Sequence, residues 1–285
     1  MSMWMQLASV EHRLGYVNCG GVRTRFLEAG MGNKQALLFL HGSGGYLEAY
    51  LSNVRAHAEH FHVLVPDMIG HGYTDKPDHP YEPRHYVEHL RGFCDALGLE
   101  QVHLSGESLG GWVAARFATT YPARVGRLVL NTAAGVHYDP AVSDRIYSLS
   151  TKAAAEPSRD NIRKRLEWLM LDPRRVTDEM VELRYRIYTQ PGYARVMQHI
   201  MCLHTEKYRI PNLMSEAEMS AVRAPTLVLW TSHDPGSSVD IGRRLAGWIP
   251  GAKFVVMDNC GHWPQFEDAD NFNRIQIEFL REGAP

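Results

Sequence analysis

The chain has 285 residues, and its 30 lysines and arginines against 32 aspartates and glutamates leave a formal charge of −2. Without a long block of like charge there is nothing to track a phosphate backbone or an anionic membrane face, which argues against both partners. Cys19, Cys94, Cys202 and Cys260 lie far apart with no C-x-x-C pair, so no zinc site and no disulfide framework is expected, and a reducing compartment fits.

In chain order, the opening MSMWMQLASVEHRLG lacks a basic segment followed by an apolar one, and no run of roughly 18 apolar residues follows. A soluble, cytoplasmic protein is expected. Short apolar runs occur at 15–17, 22–27, 36–40, 63–65, 102–105, 128–130, 226–230 and 253–257. The first two flank a Gly-Gly turn and read as an edge hairpin. The central ones are apolar on both faces, as strands of a covered parallel sheet must be. Helical spacing falls between them at 86–97, 109–120, 239–248 and 272–280. Alternating strand and helix predict an α/β, doubly wound sheet with crossover helices on both faces. From about 133 to 223 no strand is legible, only helical stretches such as NIRKRLEWLMLD. A structureless loop of that length is implausible, so the expected organisation is a core of 1–132 and 224–285 with a helical insertion at 133–223. Because the insertion leaves the sheet at the carboxyl end of a strand, where sites of such sheets lie, it is a candidate lid.

Residues 106 to 111 read GESLGG, between an apolar run and a helical segment. Strand, G-x-S-x-G, helix is the pattern of a nucleophile elbow, with Ser108 raised above the sheet. The plainer alternative is a glycine-rich turn with Ser108 as helix N-cap. A serine hydroxyl needs a base, and His262, in the loop after the last strand, is the choice among 15 histidines. His41, His71 and His233 are rivals; His41 opens the glycine-rich HGSGG and is expected to shape that loop. Asp234, just past the strand at 226–230, completes the order Ser, Asp, His expected of this pattern, with Asp139 and Asp258 as rivals. Backbone N–H groups of Ser43 and Leu109 are the candidate oxyanion donors, and Gly42 is placed against the substrate.

These segments resemble an α/β-hydrolase, and within that superfamily the chain is most similar to the meta-cleavage product hydrolases of bacterial aromatic degradation. The likeness runs nearly end to end, through YVNCGGVRTRFLEAG, HGSGG, DMIGHGYTDKPD, GESLGGWVA, VTDEMVELRYRIYTQPG and NCGHWPQFEDADNFNRIQIEFL. It implies a mostly parallel eight-stranded sheet, with the lid inserted before the last two strands. It further implies a serine enzyme that needs no metal or cofactor and cleaves carbon–carbon bonds in 2-hydroxy-6-oxo-dienoates. By the same resemblance Arg184, in ELRY, binds the substrate carboxylate and Trp263 lines the pocket; the plainer alternatives are a solvated arginine and a core tryptophan. Two departures stand beside the reaction centre. Glu107 occupies the position where the family usually carries asparagine, and an ionised carboxylate cannot donate that amide's hydrogen bond. HGSGGYLEAY lacks the family's Gly-Pro-Gly continuation.

Four functions are therefore weighed: C–C hydrolysis of a dienoate, ester, lactone or thioester hydrolysis by the same triad, a non-catalytic ligand receptor, and haloalkane or epoxide chemistry. The last is set aside because it normally has aspartate where Ser108 stands. The expected partner is a small aromatic or alkyl molecule, given the apolar set Trp168, Met170, Tyr185, Tyr188, Tyr193, Met197 and Met201. A homodimer or larger homo-oligomer is left open.

Overall fold

Eight strands form one sheet in the computed structural model of the chain, which describes residues 2–282. They are β1 (His12–Cys19), β2 (Val22–Ala29), β3 (Ala36–Leu40), β4 (His62–Pro66), β5 (Val102–Glu107), β6 (Val125–Asn131), β7 (Thr226–Thr231) and β8 (Lys253–Met257). Their spatial order is β1-β2-β4-β3-β5-β6-β7-β8. The β1–β2 hairpin and the β2–β4 pair are antiparallel, and every other pair is parallel. This is an α/β-hydrolase sheet, as the eight apolar runs and the resemblance led one to expect. Every residue of β3, β5 and β7 is buried. Since successive side chains point to opposite faces, such strands require cover on both sides.

The cover comes from α1 (Leu51–Ala58), α2 (Pro83–Ala96), α3 (Leu109–Thr120), and, after the insertion, α10 (Val239–Trp248), α11 (Pro264–Glu267) and α12 (Ala269–Leu280). Helix α1 packs with α12, and α2 with α3. The start of α2 follows from a capping box, in which Glu82 and His85 exchange bonds around Pro83 at the first turn. Helix α1 was not foreseen, because two of its buried residues, Asn53 and His57, are polar and erase the apolar period. Asn53 Nδ2 donates to the Gln265 carbonyl at 3.0 Å and to Asn273 Oδ1 at 2.8 Å, which ties α1 to α11 and α12.

Between Asn131 and Thr226 the chain forms α4 (Pro140–Ala155), α5 (Arg159–Glu167), α6 (Asp178–Tyr188), α7 (Tyr193–Ile200), α8 (Glu206–Arg209) and α9 (Glu216–Met219), and no strand. The caps are local: Asp139, Ser158, Thr177 and Ser215 each accept an amide of the first turn of their helix. Among the described residues no helix is long and apolar enough to cross a membrane.

The tightest packing lies where β5 meets α3. A side chain on Gly106 would strike the Gly110 carbonyl, one on Gly110 the Leu40 carbonyl at the end of β3, and one on Gly111 the Ala133 side chain. Backbone cannot yield as a flexible side chain can, so Gly110→Ala should destabilise the fold by about 3 kcal/mol or more. Thermal denaturation tests this; an unchanged midpoint would mean that β3 and α3 do not meet as closely as described.

Candidate active site

Ser108 follows β5 at φ 53° and ψ −114°, a left-handed backbone that few non-glycine residues adopt. Three backbone bonds hold it there: its N–H donates to Asn131 O at 3.0 Å, and its carbonyl accepts from Trp112 N–H at 3.0 Å and Ala134 N–H at 2.9 Å. The side chain makes no capping hydrogen bond to α3, so the geometry is that of a strained elbow presenting the hydroxyl rather than of an N-cap.

Asp234 and His262 come from the loops after β7 and β8, two strands that pair in parallel and therefore end at the same edge. Both carboxylate oxygens of Asp234 lie 3.0 Å from His262 Nδ1. One of them also accepts Gly236 N–H at 2.7 Å, which fixes the carboxylate. The His262 backbone N–H donates to Leu169 O at 2.7 Å, so the insertion holds this loop from above. Neither rival carboxylate bonds His262: Asp258 is exposed, and Asp139, though at the cavity wall, caps α4. Among the rival histidines, His233 is exposed. His41 accepts Met68 N–H at Nε2 and donates from Nδ1 to Gly42 O at 2.9 Å, bracing the loop after β3 as expected. Buried His71 packs on the His41 ring at 4.9 Å and bonds the Ile69 carbonyl.

The imidazole's other nitrogen does not face Ser108. His262 Nε2 lies 3.1 Å from an oxygen of Glu107, which is 1% exposed, and the Ser108 hydroxyl has no hydrogen-bond partner among the described residues. Burial pushes the imidazole toward neutrality, but Asp234 and Glu107 outweigh it and raise its pKa to about 10. Histidine is thus held as the cation between two carboxylates. Gly42 makes room for this pair, since a side chain there would meet the Glu107 oxygens at 2.5 and 2.7 Å.

Neither the Ser43 nor the Leu109 amide donates to another described residue, leaving both N–H groups available to an incoming oxygen. The loop carrying Ser43 is set by Asp67 at the end of β4, which accepts Leu47 N–H at 2.7 Å and shares buried Arg25 with Glu48.

A cavity is lined by Gly42, Ser43, Glu107, Ser108, His262 and Trp263 on the sheet side. Residues of the insertion, among them Val142, Ile146, Arg165, Trp168, His204 and Arg209, close the other side. Arg184 is not part of this lining. It is 1% exposed on the inner face of α6, 5.4 Å from the Tyr46 ring, 5.8 Å from Tyr188 and 5.6 Å from Trp263, so it is no solvated arginine. Trp263 is both core and wall, 4% exposed and facing the cavity.

Arg165, His204 and Arg209 were not anticipated. A signal for Arg165 exists: with Ile162, Leu166 and Leu169 it forms an i, i+3, i+4, i+7 stripe, all of it buried, so a charge stands on the apolar face of a helix. Among the described residues no group of three or more His, Cys, Asp or Glu side chains is placed to hold a metal ion.

The family model for the alpha/beta hydrolase fold matches residues 35–269. A 2-hydroxy-6-oxo-2,4-heptadienoate hydrolase of Pseudomonas putida is 33% identical over 268 residues, covering 93% of this chain and 95% of that one. A 2-hydroxy-6-oxo-6-phenylhexa-2,4-dienoate hydrolase of Comamonas testosteroni is 32% identical over 90% of each chain. Among solved structures, a meta-cleavage product hydrolase from Pseudomonas fluorescens IP01, a serine-to-alanine mutant complexed with acetates, superposes with a TM-score of 0.81 at 30% identity, covering 94% of this chain and 97% of that one. The carboxylesterase CesB of Bacillus subtilis shares the fold at a TM-score of 0.84 and 20% identity, covering 99% of this chain and 96% of that one. With its elbow, sheet order and near full-length likeness, the chain belongs to the α/β-hydrolase family, and it is a hydrolase most similar to the meta-cleavage product hydrolases.

Proposed function

We propose that the chain cleaves the C5–C6 bond of a 2-hydroxy-6-oxo-dienoate through Ser108, His262 and Asp234. The observation that carries the reading is the Asp234–His262 pair, 3.0 Å apart, opening onto the same cavity as the strained Ser108. The dienol is first ketonised, the 2-hydroxyl losing its proton and C5 gaining one, with His262 as the carrier. Ser108 then attacks the C6 carbonyl while His262 takes the hydroxyl proton, and the Ser43 and Leu109 amides receive the oxyanion. The C5–C6 bond breaks, the protonated His262 returns its proton to the departing dienolate so that it leaves as the dienol, and the acyl group stays on Ser108. Water, deprotonated by His262, releases it as a carboxylic acid. Asp234 orients the imidazole and stabilises its cation throughout. The insertion acts as the lid, because it supplies the outer wall of the cavity and excludes bulk water from the acyl-enzyme. Arg184 takes the dienoate carboxylate; it has no carboxylate partner among the described residues, and a shift of the Trp263 ring would open it to substrate.

A specific observation favours a second reading, ester hydrolysis by the same residues. Glu107 places a carboxylate at the reaction centre, where it repels an anionic dienoate and leaves a neutral ester unaffected. Stopped-flow absorbance with 2-hydroxy-6-oxo-6-phenylhexa-2,4-dienoate, with p-nitrophenyl butyrate in parallel, separates the two. The expected result is rapid loss of the dienoate chromophore, and a Ser108→Ala variant that binds the dienoate and turns it over at least about a thousandfold more slowly. Ester turnover with an inert dienoate would leave the second reading.

Glu107 also governs when the base is free. His262 accepts a proton only when neutral, and the two carboxylates hold its pKa far above neutrality. Removing one of those charges favours the neutral form. In Glu107→Gln the limb of kcat/KM that rises with pH should therefore move roughly 1–3 units toward acid, raising activity at pH 7. A pH profile with p-nitrophenyl butyrate measures this; a limb that stays in place would remove Glu107 from control of the base.

A further inference from the structure

Arg165 on α5 is 4% exposed and lines the cavity. Its Nε donates to Ser150 Oγ at 2.9 Å, while Nη1 is buried with no partner. No carboxylate lies within ionic distance of it among the described residues. Arg209, also at the wall, donates from each of its three nitrogens to the carbonyls of His137 and Leu203, which leave its charge unneutralised. His204 stands with them, its Nδ1 unpartnered, and burial together with the charges of Arg209, Arg165 and His262 presses it toward neutrality. Of the acidic groups of the same cavity, Glu107 pairs with His262 through one oxygen, and Asp139, at the start of α4, accepts Val142 N–H with one oxygen. Neither lies within ionic distance of Arg165 among the described residues. Burial lowers the Arg165 pKa to about 10, which keeps the group charged at neutral pH. A buried guanidinium without a counter-ion is costly, and a carboxylate, which accepts two parallel N–H bonds from its fork, is the compact ligand that offsets that cost.

We propose that Arg165 anchors a carboxylate at the far end of the acyl portion of the substrate, so that this site favours acyl groups ending in an anion. This rests on the reading that Ser108 is acylated, and on the leaving portion being the part assigned to Arg184. Neither a metal nor a second protein is required.

The test compares p-nitrophenyl hemiglutarate with p-nitrophenyl hexanoate, esters of similar length that differ in the terminal carboxylate. Wild type should favour the hemiglutarate in kcat/KM. Arg165→Met should lower that value by about 30-fold or more and leave hexanoate within about 3-fold. Arg165→Lys keeps the charge and loses the fork; it should recover part of the preference, and it carries the test if the Met variant does not fold. Equal losses on both esters, or none on either, would overturn the proposal. Calorimetric binding of glutarate to the wild type, abolished in Arg165→Met, gives a readout without turnover, and a wild type that does not bind glutarate would also overturn it. Because neither ester nor glutarate requires carbon–carbon cleavage, inert dienoates would remove only the C–C reading and leave the anchor standing or falling on these results.

Discussion

The architecture of the site depends on how closely α3 approaches the ends of β3 and β5. With hydrogens at 106, 110 and 111, backbone meets backbone where any larger group would collide, and the turn between strand and helix closes within one residue. That residue is Ser108, and the closure forces it into a left-handed conformation that its bonds to Asn131, Trp112 and Ala134 maintain. The strain is localised at the residue whose hydroxyl must stand clear of the helix, and strained backbone is commonly found at functional sites. Adjacent amides are presented by the same closure, since Leu109 begins α3 and Ser43 follows β3.

Charge distribution, rather than position, distinguishes this site. An imidazole with one carboxylate partner is a base waiting for a proton; one with carboxylates on both nitrogens is a cation already supplied with its proton. Glu107 comes from the strand that carries Ser108, and Gly42 from the neighbouring strand's loop leaves space for it. The anion that the family's usual asparagine would avoid is therefore accommodated by a counter-ion, His262.

The insertion and the His262 loop are one mechanical unit. Glu267 accepts Gly261 N–H at 2.8 Å and Leu171 N–H at 2.8 Å, and His262 N–H reaches Leu169 O. Glycine at 261 permits that approach, since a side chain there would press on the Leu169 carbonyl and Leu171 amide. Movement of α5, which carries Arg165 and leads directly into Leu169, would thus be felt at the imidazole.

The eight strands, their alternation with helices, the strandless stretch at 133–223 and the elbow at Ser108 were all legible in the order of residues alone, because they depend on local period and on glycine spacing. The same reading set Ser108, Asp234 and His262 at three strand ends, and parallel strands carry those ends to one edge of the sheet. Helix α1 escaped it because polar Asn53 and His57 face the core, Asn53 finding its partners on distant α11 and α12. Which atoms meet emerged from tertiary packing: His262 Nε2 faces Glu107 and not Ser108, Arg184 lies behind Trp263, and Arg165 and Arg209 turn inward without counter-ions. A sequence specifies where a charge lies along the chain, whereas its partner, its burial and hence its protonation state are fixed by residues far away in sequence and close in space.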